Sequence, residues 1–251
     1  MIRSYEGIVI RQTKITGGRR MILVFTREEG KISCGTHISE RSKGGAALAI
    51  RPFAYGHYTV SEKSAQARSI SSAETLDAHF ALGENADRYA EASYALEFTD
   101  KILPENAAAP QIFDLLKDYL EMLSGRKEDF RLLTISYLIK VMQELGVFPD
   151  TAVQDNGDGS LCLVDCFADA RNDGMRQREP SPLSCLLPSG LNDDILNTIV
   201  YIAEQPLRRM DALTLDSERE GKVFGIIKAF AHEYMELGTI KSERMLSKES
   251  I

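Results

Sequence analysis

Segments rich in Val, Ile, Phe, Tyr and Thr alternate with glycine and polar turn residues up to about residue 75. This pattern predicts strands. We expect five of them, at 5–10, 20–26, 31–36, 53–60 and 68–72. A short polar turn ending at Gly30 joins the second strand to the third. Because glycine tolerates a positive φ, this turn predicts a β-hairpin.

From residue 77 onwards, apolar residues recur every three or four positions, which predicts helices. We expect these at 89–103, 110–125, 129–145, 193–204 and from 217 to just before Gly238. Residues 150 to 190 show little periodicity and predict an irregular insert. The fold class is therefore predicted to be α+β. A five-stranded barrel of the OB-fold (oligonucleotide-binding) type occupies 1–76, and an all-helical domain carrying the insert at about 150–190 occupies 77–251.

Two predicted helix starts carry side chains that commonly cap helices. Asp129 precedes the third helix and is a suitable N-cap. Ser217 with Glu220 has the spacing of a capping box for the last helix. These residues predict where the two helices begin.

Charge is divided unequally between the two regions. The first 80 residues contain 12 Lys and Arg against 7 Asp and Glu, whereas the whole chain of 251 residues has a formal net charge of −7. The strand region is therefore mildly basic and the helical region acidic. This division predicts polyanion contact by the first region and protein contact by the second.

Basic residues lie at the predicted strand ends and loops of the barrel, as a sequence-independent contact with phosphates requires. The candidates are Arg11, Lys14, Arg19, Arg20, Arg27, Lys31, Arg41, Lys43 and Arg51. Four aromatic residues, Tyr5, Phe53, Tyr55 and Tyr58, are candidate stacking surfaces for unpaired bases. The alternative is that the cations only solvate the barrel and the aromatic rings fill its core.

Three cysteines in the insert, Cys162, Cys166 and Cys185, are candidate metal ligands. Structural zinc takes four ligands, commonly from two closely spaced pairs. Here a second cysteine pair is missing, and no histidine lies between 150 and 190. Aspartates would have to complete a zinc site, and buried free thiols are the alternative. We predict no metal and no cofactor, with zinc as the open alternative.

Catalytic motifs are missing from the sequence. The four histidines are scattered, and no glycine-rich segment has the spacing of a phosphate-binding loop. The apolar runs are too short to span a membrane, and the N-terminal residues do not resemble a secretory signal. We therefore expect a cytosolic protein that is not an enzyme and does not bind membranes.

Several segments, taken in order, carry a resemblance to a known family. The chain resembles the bacterial RecO family of recombination mediators. The matching segments are 7–11, Arg20 with 22–32, 41–43, 51–53, 145–149 and 240–242. They span nearly the whole chain, and their order and spacing carry the resemblance.

The resemblance implies an N-terminal OB-fold barrel and a C-terminal helical domain with a zinc-finger-like insert. It also implies binding of single- and double-stranded DNA, strand annealing, and loading of the RecA recombinase together with RecR and the single-stranded-DNA-binding protein, in the cytoplasm at the nucleoid. By similarity, Arg20, Arg41 and Lys43 occupy basic positions of the barrel face. Many family members carry two cysteine pairs in the insert, whereas 151–154 contain no cysteine. The insert is degenerate in this respect.

Three hypotheses follow. The first is a non-catalytic DNA repair mediator whose barrel grips phosphates. The second is a protein adaptor with a structural barrel, and the third is an RNA-binding OB module, since small barrels accept either nucleic acid. In the first hypothesis, the C-terminal tail of the single-stranded-DNA-binding protein docks on the helical domain. The candidate cations for that contact are Lys117, Arg126, Arg131 and Lys140, for which the alternative is a solvated helix surface.

Overall fold

Successive side chains of a strand point to opposite faces, so closing a sheet into a barrel buries the inward-facing ones. The structure is a computed structural model that describes residues 1–15, 19–38, 45–64, 67–148, 151–155, 161–165 and 193–246. The strands are β1 (Ile2–Lys14), β2 (Arg20–Thr26), β3 (Gly30–Thr36), β4 (Tyr55–Ser64) and β5 (Ala67–Asp77). They pair in the order β1-β2-β3-β5-β4, and β4 closes onto β1. The predicted five-stranded OB-like barrel is confirmed.

The barrel interior is apolar. Its core includes Val9, Ile22, Val24, Ile32 and Cys34, all nearly inaccessible to solvent. Neighbouring strands are antiparallel, except for β3 and β5, which run parallel. The short helix α1 (Ala46–Ala49) lies in the connection from β3 to β4. Burial raises the pKa of the Cys34 thiol to about 12, so this free cysteine is an inert part of the core.

The remaining chain is mainly helical, as predicted. The helices are α2 (Ala86–Ile102), α3 (Pro110–Gly125), α4 (Phe130–Glu144), α5 (Asp193–Glu204), α6 (Ser217–Met235) and α7 (Glu243–Leu246), with 3₁₀ turns at Phe80–Glu84 and Leu207–Ala212. No helix in the described ranges is long and apolar enough to cross a membrane. The fold is therefore α+β, in agreement with the sequence pattern.

The insert contains a β-hairpin that the periodicity did not predict. Strands β6 (Thr151–Asp155) and β7 (Leu161–Asp165) pair antiparallel. Residues 161–164 form a continuous apolar run rather than an alternating one, and such a run does not identify a strand by periodicity alone. The connection between them contains the dipeptide Asn156-Gly157, which is a hairpin signal in sequence.

Asp129 occupies the N-cap position of α4 as predicted, but the capping at both predicted helix starts differs from the prediction. Asp129 adopts a left-handed conformation, and its side chain makes no capping hydrogen bond. At α6 the cap is Asp216, whose carboxylate accepts a hydrogen bond from the Arg219 amide at 2.8 Å. Ser217 is therefore the first helical residue, one position later than the capping box requires. A carboxylate at this position also interacts favourably with the helix dipole.

The chain separates into two compact units. The first comprises Met1–Arg126 and Thr239–Ile251, and the second comprises Lys127–Gly238. Helices α2 and α3 thus belong to the same unit as the barrel, so the units divide the chain at a different place from the change in periodicity near residue 76. The rings of Phe25 on β2 and Phe113 on α3 meet edge to face, with centroids 5.5 Å apart. Such contacts join α3 to the barrel within the first unit.

The C-terminal segment returns to the first unit and is held there by Glu97 of α2. The Glu97 carboxylate accepts hydrogen bonds from the Lys241 amide, the Ser242 amide and the Ser242 hydroxyl, at 2.7–2.8 Å. Burial alone would raise the pKa of Glu97, but these hydrogen bonds lower it below its ordinary value. The charged carboxylate therefore stabilises this return of the chain.

A buried histidine closes the end of β5. His79 has a left-handed backbone, with a φ of 45°, and its side chain is buried. The ring Nδ1 donates a hydrogen bond to the Phe53 carbonyl at 2.9 Å. Burial lowers the pKa of His79, although Asp77, the Phe53 carbonyl and Glu121 act in the opposite direction. The neutral ring is therefore the form that fits the fold.

This burial predicts that acidification below about pH 6.5 destabilises the protein. The unfolded chain has an ordinary His pKa near 6.5 and takes up a proton before the folded state does. We expect the free energy of unfolding to fall between pH 7 and pH 5, and His79→Gln to remove part of this decrease. Urea titrations at the two pH values check this. His57→Gln, at an exposed site, is the control, and equal pH dependence in wild type and His79→Gln would contradict the assignment.

Candidate nucleic-acid interface

A groove of about 450 Å³ is lined by described residues from the end of β1, the start of β2, the end of β3 and the neighbouring parts of β4 and β5. Its lining includes Ile15, Arg19, Arg20, Met21, Gly35 and His37. We call this the open-end groove. The register of β1 and β2 pairs Lys14 with Arg20, so Lys14 stands beside the groove. Three of the predicted cations, Lys14, Arg19 and Arg20, are thus brought together at one end of the barrel.

The open-end groove is electropositive. No carboxylate is among its described lining residues. Lys14 and Arg19 are exposed and form no ion pair with any residue that the structure describes. Arg68 also lines the groove, but its charge is balanced by Glu29 and Glu62, each 2.9 Å away. Two exposed cations beside a lining without a described carboxylate favour an anionic ligand.

Lys31 does not fit the predicted role in phosphate binding. Its side chain is only 6% exposed, and its Nζ lies 2.9 Å from the Asp100 carboxylate of α2. It also donates a hydrogen bond to the Asp100 carbonyl. The ammonium is therefore used inside the first unit, and we leave Lys31 out of the interface.

Arg27 and Arg11 are also paired with carboxylates of the first unit. Arg27 donates two hydrogen bonds to Asp114 of α3, at 2.8 and 3.0 Å. The Arg11 guanidinium lies 3.4 Å from Asp100. Each charge is thus partly neutralised by the protein itself. We therefore leave both arginines out of the interface.

Of the three other predicted cations, the structure describes Arg51 but not Arg41 or Lys43. Arg51 is exposed in the segment after α1 and does not line the open-end groove. Arg41 and Lys43 lie outside the described residues. The loop that contains them follows Ile38 in the chain and ends before Gly45. Their contribution stays a prediction from the resemblance.

The aromatic residues of the barrel are not available for stacking, which corrects the prediction from sequence. Tyr5, Phe53 and Tyr58 are buried, and the Tyr58 hydroxyl donates to the Ala49 carbonyl at 2.7 Å. Tyr55 is half-buried, and the Lys117 ammonium covers its ring at 4.4 Å from the centroid. The rings fill the core because removing their large apolar surface from water stabilises the fold.

Of the candidate partner-binding cations in the first unit, Lys117 is occupied by a local network. Its Nζ lies 2.7 Å from the Tyr55 hydroxyl and 3.3 Å from the Glu6 carboxylate. The hydrogen bond with Tyr55 raises the pKa of Lys117, so the ammonium stays charged and fixed to the barrel. Arg126 ends α3, and its carbonyl accepts a hydrogen bond from Arg88 at 2.5 Å. The structure assigns Lys117 a role in joining α3 to β1 and β4.

The other two partner candidates belong to the second unit. Lys140 is half-buried and donates hydrogen bonds to the Ala203 carbonyl and to Gln143. Burial lowers the pKa of Lys140. The Arg131 guanidinium lies over the Phe224 ring, 5.4 Å from its centroid. Lys140 thus holds the end of α5, whereas Arg131 belongs to a cation–aromatic cluster on α4 and α6.

The structure does not describe the side chains of the three candidate zinc ligands. No group of three or more potential ligands is assembled among the residues it describes. Cys166 and Cys185 lie outside those residues, and for Cys162 only the backbone, within β7, is described. The residue paired with Cys162 on β6 is Gln154, which is not a zinc ligand type. The donor set therefore does not fit the four-cysteine pattern that the resemblance implies.

Sequence reasoning missed the uncharged lining of the open-end groove. Ile15, Met21, Gly35 and His37 flank the cations there. Ile15 and His37 stand at the ends of β1 and β3, next to the connections where OB-folds place their ligands. Position relative to those connections, rather than residue type, is the signal that identifies them.

Comparison with known proteins agrees with this architecture. Residues 1–79 match the family model described as Recombination protein O N terminal, and residues 83–154 match Recombination protein O C terminal. The DNA repair protein RecO of Bacillus cytotoxicus is 27% identical over 99% of this chain and 98% of that protein. That of Thermoanaerobacter sp. (strain X514) is 23% identical over 92% of each. Since the two models together match more than half of the chain, it belongs to the RecO family.

Proposed function

We propose that this chain is a non-catalytic DNA repair and recombination mediator that binds single- and double-stranded DNA at the open-end groove. Family membership supports a role in DNA repair. The observation that carries the proposal is that Arg19 and Arg20 line a groove whose described lining has no carboxylate, with Lys14 paired to Arg20 on the neighbouring strand. The proposed place of work is the cytoplasm, at the nucleoid.

The physical basis is the neutralisation of phosphates by fixed cations. Each phosphate that is paired with a lysine or arginine releases condensed counterions, which favours binding at low salt. Such binding does not depend on base sequence. It suits a mediator that acts wherever unpaired strands arise.

Strand annealing follows from the same contact. Two complementary strands repel each other through their phosphates, and a cationic groove that neutralises one backbone lowers that barrier. The resemblance to RecO further supports cooperation with RecR and with the C-terminal tail of the single-stranded-DNA-binding protein in loading RecA. For the tail, Arg131 and Lys140 are the candidate cations of the second unit, and Lys140 also donates hydrogen bonds to Ala203 and Gln143.

Replacing Lys14, Arg19 and Arg20 together by Ala tests the proposal. We expect affinity for a fluorescent 20-nucleotide single strand to fall by about tenfold or more at low salt, because up to three phosphate contacts are lost. Fluorescence anisotropy measures this. The double variant K14A/R19A changes exposed residues only, so a smaller loss in the same direction excludes misfolding as the cause.

The matched control removes three exposed cations elsewhere. Lys101→Ala, Lys127→Ala and Arg209→Ala change the net charge by the same amount without touching the groove. We expect this triple variant to bind within about twofold of wild type, since distant exposed charges are screened. Equal losses in both triple variants would favour a non-specific charge effect. No DNA binding by wild type would favour the adaptor, and preference for a matched RNA oligomer would favour the RNA-binding module.

A further inference from the structure

We propose that the open-end groove recognises the sugar-phosphate backbone alone and stacks no base. Its ligand class is then any flexible phosphodiester chain with regularly spaced charges, including one that carries no bases. The inference rests on the proposed function and specifies how the same groove binds its ligand.

Every Phe and Tyr ring of the barrel is committed elsewhere. The strands and connections up to Asp77 contain five aromatic residues, and none of them lines the groove. Phe25 packs against Phe113 of α3, and Tyr55 lies under the Lys117 ammonium. The other three, Tyr5, Phe53 and Tyr58, are buried.

The connections next to the groove add no aromatic residue either. Residues 16–18 are Thr-Gly-Gly, residues 39–44 are Ser-Glu-Arg-Ser-Lys-Gly, and residues 65–66 are Ala-Gln. The whole chain contains no tryptophan. The sequence alone therefore excludes a stacking ring of Phe, Tyr or Trp from these three connections.

Apart from His37, the uncharged residues that line the groove carry no ring. Proteins that bind single strands on this fold combine a basic groove with aromatic platforms. Here the groove presents Met21, Gly35 and the exposed Ile15 between its cations. His37 is its single described ring. The described lining of the groove therefore has the cations of the usual arrangement but no Phe, Tyr or Trp ring.

Backbone-only binding has a mechanistic consequence. A base stacked on a protein ring must leave that ring before it can pair, which costs the stacking energy of each base. A strand held by its phosphates keeps its base edges exposed to a complementary strand. A groove without rings is therefore suited to presenting a strand for annealing.

The experiment compares two ligands of equal phosphate number on the full chain. One is a 20-nucleotide oligothymidylate, and the other is the same length with every base replaced by an abasic tetrahydrofuran unit. We expect Kd values within fivefold of each other and equal salt slopes in fluorescence anisotropy. A preference of more than fivefold for the oligothymidylate overturns the inference but leaves the proposed function standing. Failure of both ligands to bind overturns the proposed function and the inference together.

Two variants sharpen the result. Met21→Phe adds a ring to the lining of the groove. It is expected to create at least a fivefold preference for oligothymidylate over the abasic chain, because stacking of one base on a ring raises affinity by that much. His37→Ala is expected to leave both affinities within twofold. If the Met21→Phe variant shows no preference, the strand does not pass over residue 21. If His37→Ala lowers affinity for oligothymidylate but not for the abasic chain, His37 is a stacking ring. Either result overturns the inference.

Discussion

Replacing Gly30 by Ala is expected to lower the free energy of unfolding by about 3 kcal/mol or more. Gly30 ends the turn between β2 and β3 and has a φ of +73°. This conformation costs an L-residue roughly 1–2 kcal/mol. A Cβ atom there would lie 1.8 Å from the Ala107 carbonyl oxygen. Since that oxygen belongs to the backbone, the hairpin or the 105–107 segment must move, and such overpacking costs about 1–3 kcal/mol more. Urea denaturation of wild type and variant measures the loss.

A second glycine separates the two causes of this loss. Gly146 has a φ of +67°, but a Cβ atom there would meet nothing within 4 Å. Gly146→Ala is therefore expected to cost only the backbone strain, about 1–2 kcal/mol. If Gly30→Ala lowers the free energy of unfolding no more than Gly146→Ala does, the claim that the hairpin packs closely against the Ala107 backbone is contradicted.

Removing the Lys31 ammonium is expected to lower the free energy of unfolding by about 3 kcal/mol, the second-largest effect. Breaking a buried ion pair leaves an uncompensated charge, which costs about 3–5 kcal/mol. In the variant, the Asp100 carboxylate still has the Arg11 guanidinium 3.4 Å away. Because this second cation partly compensates the charge, the expected loss lies toward the lower end of that range. Lys31→Met retains the apolar stem, and the double variant with Asp100→Asn measures how strongly the two residues are coupled. We expect the double variant to be more stable than the sum of the single losses predicts.

Arg27, on the same hairpin, is the matched control. Its pair with Asp114 has side chains that are 46% and 52% exposed. Exposed pairs contribute about 1 kcal/mol or less, so Arg27→Ala is expected to cost much less than Lys31→Met. The folded fraction of Lys31→Met is also expected to bind DNA as wild type does. A loss of affinity without a loss of stability would restore Lys31 to the interface.

These two predictions give the β2–β3 hairpin a structural role. The hairpin carries much of the resemblance to RecO, and its basic residues were candidates for phosphate contact. Instead Arg27 contacts α3, Gly30 approaches Ala107, and Lys31 contacts α2. The hairpin therefore docks α2 and α3 onto the barrel. This docking explains why the first compact unit extends to Arg126 rather than ending after β5.

The elements were predictable from local pattern. The apolar segment of β2 and the helix that begins at Pro110 agree with the structure to the residue, because propensity, turn residues and burial favour the same state there. The hairpin turn was predictable for the same reason, since Gly30 provides the positive φ that the turn requires.

The roles of the cations were not predictable from the sequence. A lysine at a strand end has the same local pattern whether a phosphate or a distant carboxylate faces it. Lys31 and Asp100 are far apart in the chain, and only the docking of α2 brings them together. The same holds for Tyr55 and Lys117. Composition identifies the barrel as basic, but long-range packing decides which charges remain for a ligand.

The salt dependence of DNA binding tests the central claim most directly. The measurement is the slope of log Kobs against log salt concentration for a single-stranded oligonucleotide, with wild type, the triple variant of Lys14, Arg19 and Arg20, and the control triple variant. Three lost phosphate contacts are expected to reduce the slope by about 2 in the groove variant. The control variant is expected to keep the wild-type slope. An unchanged slope in the groove variant would contradict the proposal that the open end of the barrel grips the DNA backbone.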